Sequence, residues 1–272
     1  MNFIEIKKKI KSNKFLNTFI RIVLLPFYFL YHCMVCTNGR LRCIFKLSRK
    51  YKWILSLKNS HFGERCFIIA TGPSLTIEDL DAVKDEYTFS MNSCVKLYDN
   101  TKWRPNMYFI QDEYVLSGME EFVHNANQEM IVPSFLKKYS KYKTKKRYFS
   151  LDMGVHRAIK KHLSFKPCKN AFYKVNDGYS VIFACLQFAI YMGFKDIYLL
   201  GSDCNYSGSK THIVETGAID KSSPDFLYER LIFSHKKMKK FAENNDVNIY
   251  NSTRGGMLEV YERKKLEDVI SR

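Results

Sequence analysis

The amino-acid sequence predicts an α/β protein with a mostly parallel sheet and helices on both faces. From residue 64 onward, short apolar runs alternate with longer mixed segments, as strands and helices do in such proteins. The chain has 272 residues, of which 46% are hydrophobic, so it is long and apolar enough to bury one large core. Because ligands of parallel sheets bind beyond the carboxyl ends of the strands, we expect functional side chains directly after the strands.

Each predicted element has a local signal. Short apolar runs predict strands at 66–70, 87–91, 107–110, 130–132, 196–200 and 247–250. Mixed segments predict helices at 75–83, 179–192 and 228–243, and Gly193 ends the second of them. Residues 136–147 interleave Lys and Arg with Tyr and are predicted to form a solvated loop or helix face.

The first sixty residues carry most of the positive charge. The net charge is +17, and residues 1–60 hold 13 Lys or Arg against one acid, Glu5. The uncharged run 22–36 has 15 residues, fewer than the roughly 20 that span a bilayer. Pro26 is expected to break or kink a helix there.

We therefore predict two parts, a membrane-associating segment at 1–60 and a catalytic domain at 61–272. Aromatic and aliphatic groups of residues 1–50 would enter the membrane interface while Lys and Arg meet anionic headgroups. A helix packed on the domain core is the alternative. The basic residues accompany no nucleic-acid-binding motif, so a nucleic-acid partner is not expected.

The eight cysteines do not form a recognisable framework. Cys33 and Cys36 make one C-x-x-C, with no second pair or histidine cluster at zinc spacing, so we expect an apolar helix rather than a metal or redox site. Cys66 and Cys185 lie in apolar runs and are expected to be buried thiols. A reduced, cytoplasmic compartment is the default.

Polar and glycine residues follow the predicted strands. The turn after the first strand lets a backbone approach a phosphate at a helix start, although an ordinary turn is equally open. Amides at the next two strand ends can hydrogen-bond a base or ribose, although such residues also cap helices. The candidate nucleotide-binding residues are Thr71, Gly72, Pro73, Ser74, Asn92, Gln111, Asp112, Gly178, Tyr179, Ser180 and Asp203.

His235 shares a helix face with Leu231 and Met238, at spacings of four and three residues. That face is apolar, so both a buried core histidine and a general base near the strand ends remain open. Tyr206 can donate a hydrogen bond to a departing phosphate. His212, in a Gly/Ser-rich loop, and Arg254, beside two glycines after the last strand, are candidate contacts for an acceptor or a phosphate.

A metal site is not predicted. The D-x-D motif often used by metal-dependent sugar transferases is represented by Asp79-Leu-Asp81, which falls in a predicted helix and is expected on its solvated face.

The order of these motifs resembles two related families. Residues 69–75 (Ile-Ala-Thr-Gly-Pro-Ser-Leu) and 192–203, followed by 234–235 and 247–251, resemble bacterial sialyltransferases of glycosyltransferase family 42. Residues 251–260 equally resemble the MptE-like family, which includes 6-hydroxymethylpterin diphosphokinases and uncharacterised proteins of surface-polysaccharide clusters. The motifs are specific for this superfamily and not for one substrate.

The sialyltransferase resemblance implies a Rossmann-like, GT-A-like fold and a metal-independent inverting transfer. The donor would be a CMP-activated nonulosonic acid, with no other cofactor, and the acceptor a cell-surface glycan or a lipid-linked glycan. His235 would be the general base, and the enzyme would lie on the cytoplasmic face of the inner membrane, peripheral or monotopic. Thr71 stands where the family usually has Asn. The family also has a pair of tyrosines at the leaving phosphate; here Tyr206 is displaced by one position and the second tyrosine is absent.

Two other functions use the same frame. One is a pterin diphosphokinase that needs ATP and Mg²⁺, for which Asp112 and Asp203 are the strand-end carboxylates. The other is a non-enzymatic membrane-associated protein with a degenerate fold. A homo-oligomer is also left open.

Overall fold

The computed structural model describes residues 14–46, 48–139, 142–153, 165–205, 213 and 224–271. Its strands are β1 (Arg65–Ile69), β2 (Thr88–Met91), β3 (Met107–Phe109), β4 (Met130–Pro133), β5 (Lys146–Phe149), β6 (Leu151–Asp152), β7 (Val175–Asn176), β8 (Asp196–Leu200), β9 (Asn248–Asn251) and β10 (Glu262–Arg263). Its helices are α1 (Lys14–Phe45), α2 (Lys52–Ser56), α3 (Ile77–Ala82), α4 (Glu113–Asn125), α5 (Ile182–Met192), α6 (Pro224–Glu243) and α7 (Leu266–Ile270). Two 3₁₀ segments, Asn92–Asn100 and Ser134–Tyr139, follow β2 and β4.

Eight strands form one parallel sheet in the order β10-β9-β8-β1-β2-β3-β4-β5, and β6 pairs with β7 separately. The chain therefore starts in the middle of the sheet and builds outward on both sides of β1. This order places the loops that follow β1 and β8 side by side, at the point where the connections diverge. Ligand sites of doubly wound sheets form at such a point.

The predicted α/β architecture with helices on both faces is confirmed. Side chains of β1 alternate between the two faces: Cys66 and Ile68 join the core beneath α5, and Phe67 joins the core beneath α3 and α4. Every residue of α5 is buried. Cys66 and Cys185 are completely buried, as expected for thiols in apolar runs.

Several elements were not predicted, among them the helix α4 and the edge strand β5. Strand β5 begins at the end of the basic stretch 136–147, which was expected to be a solvated loop or helix face. Its Lys146 ammonium forms a buried ion pair, 2.9 Å from Glu120 of α4. Charge on an edge strand is common because it discourages pairing with other chains.

Of the break or kink expected at Pro26, the break was wrong, because helix α1 continues through this proline. Proline is tolerated where the surroundings satisfy the freed backbone groups, as in membrane-inserted helices. The stretch Thr18–Phe45 is long and apolar enough to cross a bilayer, and 6% of its most apolar window is buried in the protein. Its length and composition fit a membrane anchor or a signal segment.

The second half of α1 is docked by polar contacts on the body of the protein, by which we mean the described residues from 48 onward. The Arg42 guanidinium donates to the carbonyls of Phe172 and Tyr173, and Tyr31 donates to the Leu151 carbonyl at 2.8 Å. Gly39 lies so close to Tyr173 that a Cβ at this position would overlap its ring. The helix is thus tied to the body along one face.

A buried charge cluster completes this contact. The Asp152 carboxylate lies 2.7 Å from the Lys174 ammonium and 2.8 Å from His32 Nδ1 of α1. Cys36 Sγ lies 3.3 Å from the same ammonium, whereas Cys33 is exposed. The C-x-x-C cysteines therefore face different environments.

Residues after α1 also belong physically to the body. Ile54 of α2 is fully buried in the core beneath α5, and the Trp53 ring stacks on Phe188. The division of the chain at residue 60 itself stays a prediction.

Candidate functional site

A cleft opens at the carboxyl ends of β1, β2 and β8. It holds about 560 Å³ of space, including the part open to solvent. Its polar lining consists of Thr71, Gly72, Asn92, Ser180, Ser202, Asp203 and Asn205. Its remaining lining consists of Ala70, Met91, Ile182, Gly201, Cys204, Leu231 and the ring of His235. The expected position beyond the strand ends is therefore where the cleft lies.

The loops after β1 and β8 touch through their glycines. The Gly72 N–H donates to the Gly201 carbonyl at 2.7 Å. A Cβ on Gly72 would lie 2.7 Å from Asp203 Cγ and closer still to the Gly201 oxygen. Gly201 itself has φ +62°, in the left-handed region that glycine adopts most easily. Glycine at these two positions allows the loops to form one wall of the cleft.

Asp203 is the carboxylate of the cleft among the described residues. It is 7% exposed, and its Oδ2 accepts a hydrogen bond from Ser74 Oγ at 2.8 Å. Burial raises the pKa of Asp203, and the Ser74 hydrogen bond opposes that rise. The loop after β9 supports it from below, since the Met257 N–H donates to the Asp203 carbonyl at 2.7 Å. The carboxylate is thus held in place at the cleft wall.

The start of α5 forms the opposite side. Ser180 and Ile182 line the cleft, whereas the N–H groups of Phe183 and Ala184 already donate to the carbonyls of Ser180 and Val181. Tyr179 has φ +74°, and its N–H donates to Asp177 Oδ1 at 2.9 Å, which fixes the turn into the helix. This end of the helix offers an anion the Ser180 hydroxyl and the positive end of the helix dipole.

The structure gathers several predicted residues around this cleft. Thr71, Gly72, Asn92, Ser180 and Asp203 line it, and Ser74 contributes through its bond to Asp203. Asn92 has φ +52°, which turns the chain sharply after β2. Whether these residues bind a nucleotide stays a prediction.

Other predicted residues are engaged elsewhere. Gln111 donates to Asp177 at 2.9 Å, and Asp112 caps α4 by accepting from the N–H groups of Tyr114 and Val115. Pro73 is exposed beside the cleft, Gly178 packs on Phe183, and the Tyr179 ring lies under the Arg230 guanidinium. Tyr206 and His212 lie outside the described residues.

Arg254 is committed to ion pairs rather than aimed into the cleft. Its guanidinium lies 2.6 Å from Asp79 Oδ1 and 2.9 Å from Glu267. Asp79 is 3% exposed, so its expected place on a solvated helix face was wrong. Its other oxygen closes a capping box with Thr76 at the start of α3, which explains an acid at this buried position.

Sequence analysis assigned no role to Ser202, Cys204 and Asn205, which line the cleft, although the stretch 203–206 after β8 was a candidate group. They flank Asp203 directly after β8, and the same rule that selected Asp203 applies to them. Cys204 has φ +51°, an uncommon conformation that turns its side chain toward His235.

His235 lines the cleft but is almost fully buried, and its role as a general base stays a prediction. It is 1% exposed, its Nδ1 lies 3.0 Å from the Tyr261 hydroxyl, and its Nε2 lies 3.8 Å from Cys204 Sγ. Burial lowers its pKa to about 3. A general base works best with a pKa near the working pH, so this geometry does not favour the predicted proton transfer.

Burial of a neutral His235 predicts a loss of stability in acid. The folded pKa of about 3 lies below the ordinary value of 6.5, so the unfolded state binds the extra proton between these values. Stability should therefore fall as pH drops below 6.5, by about 2 kcal/mol at pH 5 from this group alone. His235→Gln should remove that part of the slope in urea unfolding followed from pH 7.5 to 5.

The exposed His124 offers a matched control. His124→Gln should keep the wild-type slope. Equal slopes in wild type and His235→Gln would contradict a buried, neutral imidazole at this position. Because slopes are compared, any constant offset from the substitution does not enter.

The geometry of the cleft can be set beside known proteins. The family described as 6-hydroxymethylpterin diphosphokinase MptE-like matches residues 42–209, more than half of the chain. The chain belongs to the MptE-like family. No curated protein and no solved structure matches it. The match confirms the MptE-like part of the predicted resemblance and leaves the sialyltransferase part a prediction.

The MptE-like match has a structural meaning. It runs from the docked end of α1 through the strands β1–β8 and ends at residue 209. It therefore includes the cleft residues Thr71, Asn92, Ser180 and Asp203, whereas His235 on α6 lies beyond it. The part of the chain that matches the family therefore contains most of the residues that line the cleft.

Proposed function

We propose that this MptE-like protein is a membrane-attached transferase that moves a sugar from a nucleotide donor to an acceptor hydroxyl. The donor is a CMP-activated nonulosonic acid, and the acceptor is a cell-surface glycan or a lipid-linked glycan. The observation that carries the proposal is the cleft itself: neutral hydrogen-bond donors and one carboxylate, at the switch point of a parallel sheet, in a body tied to an apolar helix.

The chemistry of the cleft supports a phosphate leaving group. The Thr71 and Ser180 hydroxyls and the Asn92 side-chain amide of the lining can donate to an anion, and the start of α5 adds its dipole. Hydrogen-bond donors that are already in place stabilise developing charge at low cost, so a phosphate ester can depart without a metal. Among the described residues, no Phe, Tyr or Trp lines the cleft, which disfavours stacking of a flat pterin ring.

Asp203 is the group that we assign to the proton. In the proposed inverting step, the acceptor hydroxyl oxygen bonds to the anomeric carbon while the bond from that carbon to the phosphate oxygen breaks. CMP departs with the electron pair, and the hydroxyl proton passes to the Asp203 carboxylate. Its raised pKa makes it a better proton acceptor than an exposed aspartate. This replaces His235 in the predicted role.

The membrane part of the proposal rests on α1. Its first half exposes large apolar side chains, including Phe19, Phe27 and Leu30, each more than 60% accessible. A helix of this kind stabilises a protein at a membrane, where a lipid-linked acceptor also resides. The cytoplasmic face of the inner membrane is our proposed location.

A diphosphokinase is the alternative favoured by the family description. Mg²⁺ often uses one or two carboxylates together with substrate phosphates, and Asp203 would hold it here. Bound Mg²⁺ would neutralise charge on the transferred phosphoryl group. Asp112, the second expected ligand, is instead a helix cap.

The two functions differ in nucleotide and metal. Thermal shift of the full-length protein in mild detergent, with CMP, CDP, UDP, GDP and ATP, is the test. We expect CMP to stabilise the protein equally with Mg²⁺ and with EDTA. Asp203→Asn should keep the CMP response and lower sugar transfer by about 10²- to 10⁴-fold.

Other outcomes decide against the proposal. Stabilisation by ATP that needs Mg²⁺ and is lost in Asp203→Asn would establish the kinase alternative instead. A protein that responds to no nucleotide, while its Asp203→Asn variant behaves like wild type in the cell, would indicate the non-enzymatic membrane-associated function. The matched control is Asp99→Asn, at an exposed position outside the cleft.

A further inference from the structure

A second groove lies between α1 and the body. It holds about 1190 Å³ of space, including the part open to solvent, and it reaches the loops after β4 and β5. On the helix side it is lined by Tyr31, Met34, Asn38, Leu41 and Phe45, whose spacings of three and four residues place them on one helix face. This face is distinct from the contacts of His32 and Cys36 with the body.

The helix lip of the groove is apolar and accessible. Met34, Leu41 and Phe45 are 53%, 47% and 60% exposed, and they continue the exposed apolar surface of the first half of α1. Apolar surface of this extent beside a membrane helix is suited to hydrocarbon chains. The groove therefore has one apolar side, formed by α1.

The opposite side is polar and positively charged. Tyr51 donates to Ser134 Oγ at 2.9 Å, and Ser150 lies in the same wall. The Arg42 guanidinium lies 4.2 Å from the centre of the Tyr51 ring and is fixed by its bonds to two backbone carbonyls. Its positive charge is therefore held in one position at this wall.

Lys50 adds a second cation to this wall. Burial lowers the pKa of Lys50, and the like charge of Lys137 lowers it further. Among the described residues, Lys50 forms no ion pair with a carboxylate. The acids Glu120 and Glu129, which face the neighbouring strand β5, are paired with Lys146 and Arg147. The wall thus has positive charge that a bound anion would balance.

We propose that this groove binds a membrane lipid through its phosphate, with Lys50 and the Tyr51–Ser134 pair at the phosphate and the hydrocarbon chain along Met34, Leu41 and Phe45. The apolar lip matches the hydrocarbon chain of such a lipid, and the cationic wall matches its phosphate. Both halves are needed, since free phosphate would leave the lip exposed and an uncharged alcohol would leave Lys50 unbalanced.

The position of the groove relates it to the cleft. Both lie at the carboxyl edge of the sheet, the cleft after β1, β2 and β8 and the groove after β4 and β5, with β3 between them. Lipid binding itself does not depend on the transferase reaction proposed above.

The test compares three probes on the full-length protein in mild nonionic detergent: farnesyl phosphate, farnesol and inorganic phosphate. We expect farnesyl phosphate alone to raise the melting temperature in the micromolar range. Lys50→Gln should weaken its apparent affinity about five- to tenfold. Lys58→Gln, at an exposed lysine near the opposite edge of the sheet, should leave it unchanged.

A second variant tests the apolar lip of the groove. Leu41→Glu changes an exposed position, so the fold should persist, and it should also weaken farnesyl phosphate binding. Equal stabilisation by farnesol, or unchanged affinity in both Lys50→Gln and Leu41→Glu, would overturn the proposal. The response to CMP should be the same in these variants as in wild type, which separates a failure of the lipid site from a failure of the transferase.

Discussion

Replacing Gly72 by alanine is expected to abolish the nucleotide response and to lower the free energy of unfolding by about 1–3 kcal/mol. The added methyl group would overlap the Gly201 carbonyl and the Asp203 carboxylate. Asp203 can rotate, but the carbonyl belongs to the backbone, so the loops after β1 and β8 must separate. The hydrogen bond between them is then lost. Thermal unfolding with and without CMP measures both effects.

Gly63 provides a matched substitution. It has φ +82° with no atom within 4 Å of an added Cβ, so Gly63→Ala tests backbone strain without a clash. That strain should cost about 1 kcal/mol and leave the nucleotide response intact. A full response to CMP in Gly72→Ala would mean that the loop contact is not part of the nucleotide site.

The central part of the fold could be predicted because parallel strands are buried on both faces. Such strands are continuous apolar runs, and the predicted strand at 196–200 coincides with β8. The strands β5 and β10 gave no such signal, since edge strands carry polar and charged residues. Lys146 of β5 is stabilised by Glu120, 26 positions earlier in the chain, and no local pattern reveals that partnership.

Helix α1 shows the same limit in another form. Propensity predicts a break at Pro26, but the helix continues, and its second half is held by contacts with Leu151, Asp152 and Phe172. The cost of one proline is a few kcal/mol at most, and a long docked helix can bear it. Tertiary contacts overrode the local rule.

The sequence predicted where the candidate site lies but not which residues line it. Residues after strands gather at one edge because all strands point the same way, and this holds for Thr71, Asn92 and Asp203. Gln111 and Arg254 fulfil the same rule but are drawn away by Asp177 and Asp79, their partners in space. Periodicity left His235 open between two roles, and only burial distinguishes them.

Asp152→Asn is expected to have the largest effect on stability, about 3–5 kcal/mol. Asp152 is 2% exposed, and its carboxylate forms an ion pair with the buried Lys174 ammonium at 2.7 Å. Burial lowers the pKa of Lys174, but the hydrogen bond and charge of Asp152 outweigh it, so the net pKa is raised. Stability from a raised lysine pKa is fully present below the unfolded value of 10.5 and is lost as pH rises through the folded value. At pH 7 the whole effect should be visible in urea unfolding.

The reason for this size is the charge left behind and not the worth of the pair. An amide at position 152 cannot balance the ammonium, which would then have to unpair in the interior or deprotonate. Replacing both residues, Asp152→Asn with Lys174→Met, removes the stranded charge and should recover most of the loss. The exposed Asp99→Asn should change stability by less than about 0.5 kcal/mol. If the double variant is as unstable as Asp152→Asn, the stranded charge is not the cause, and the contact of Asp152 with His32 carries the stability instead.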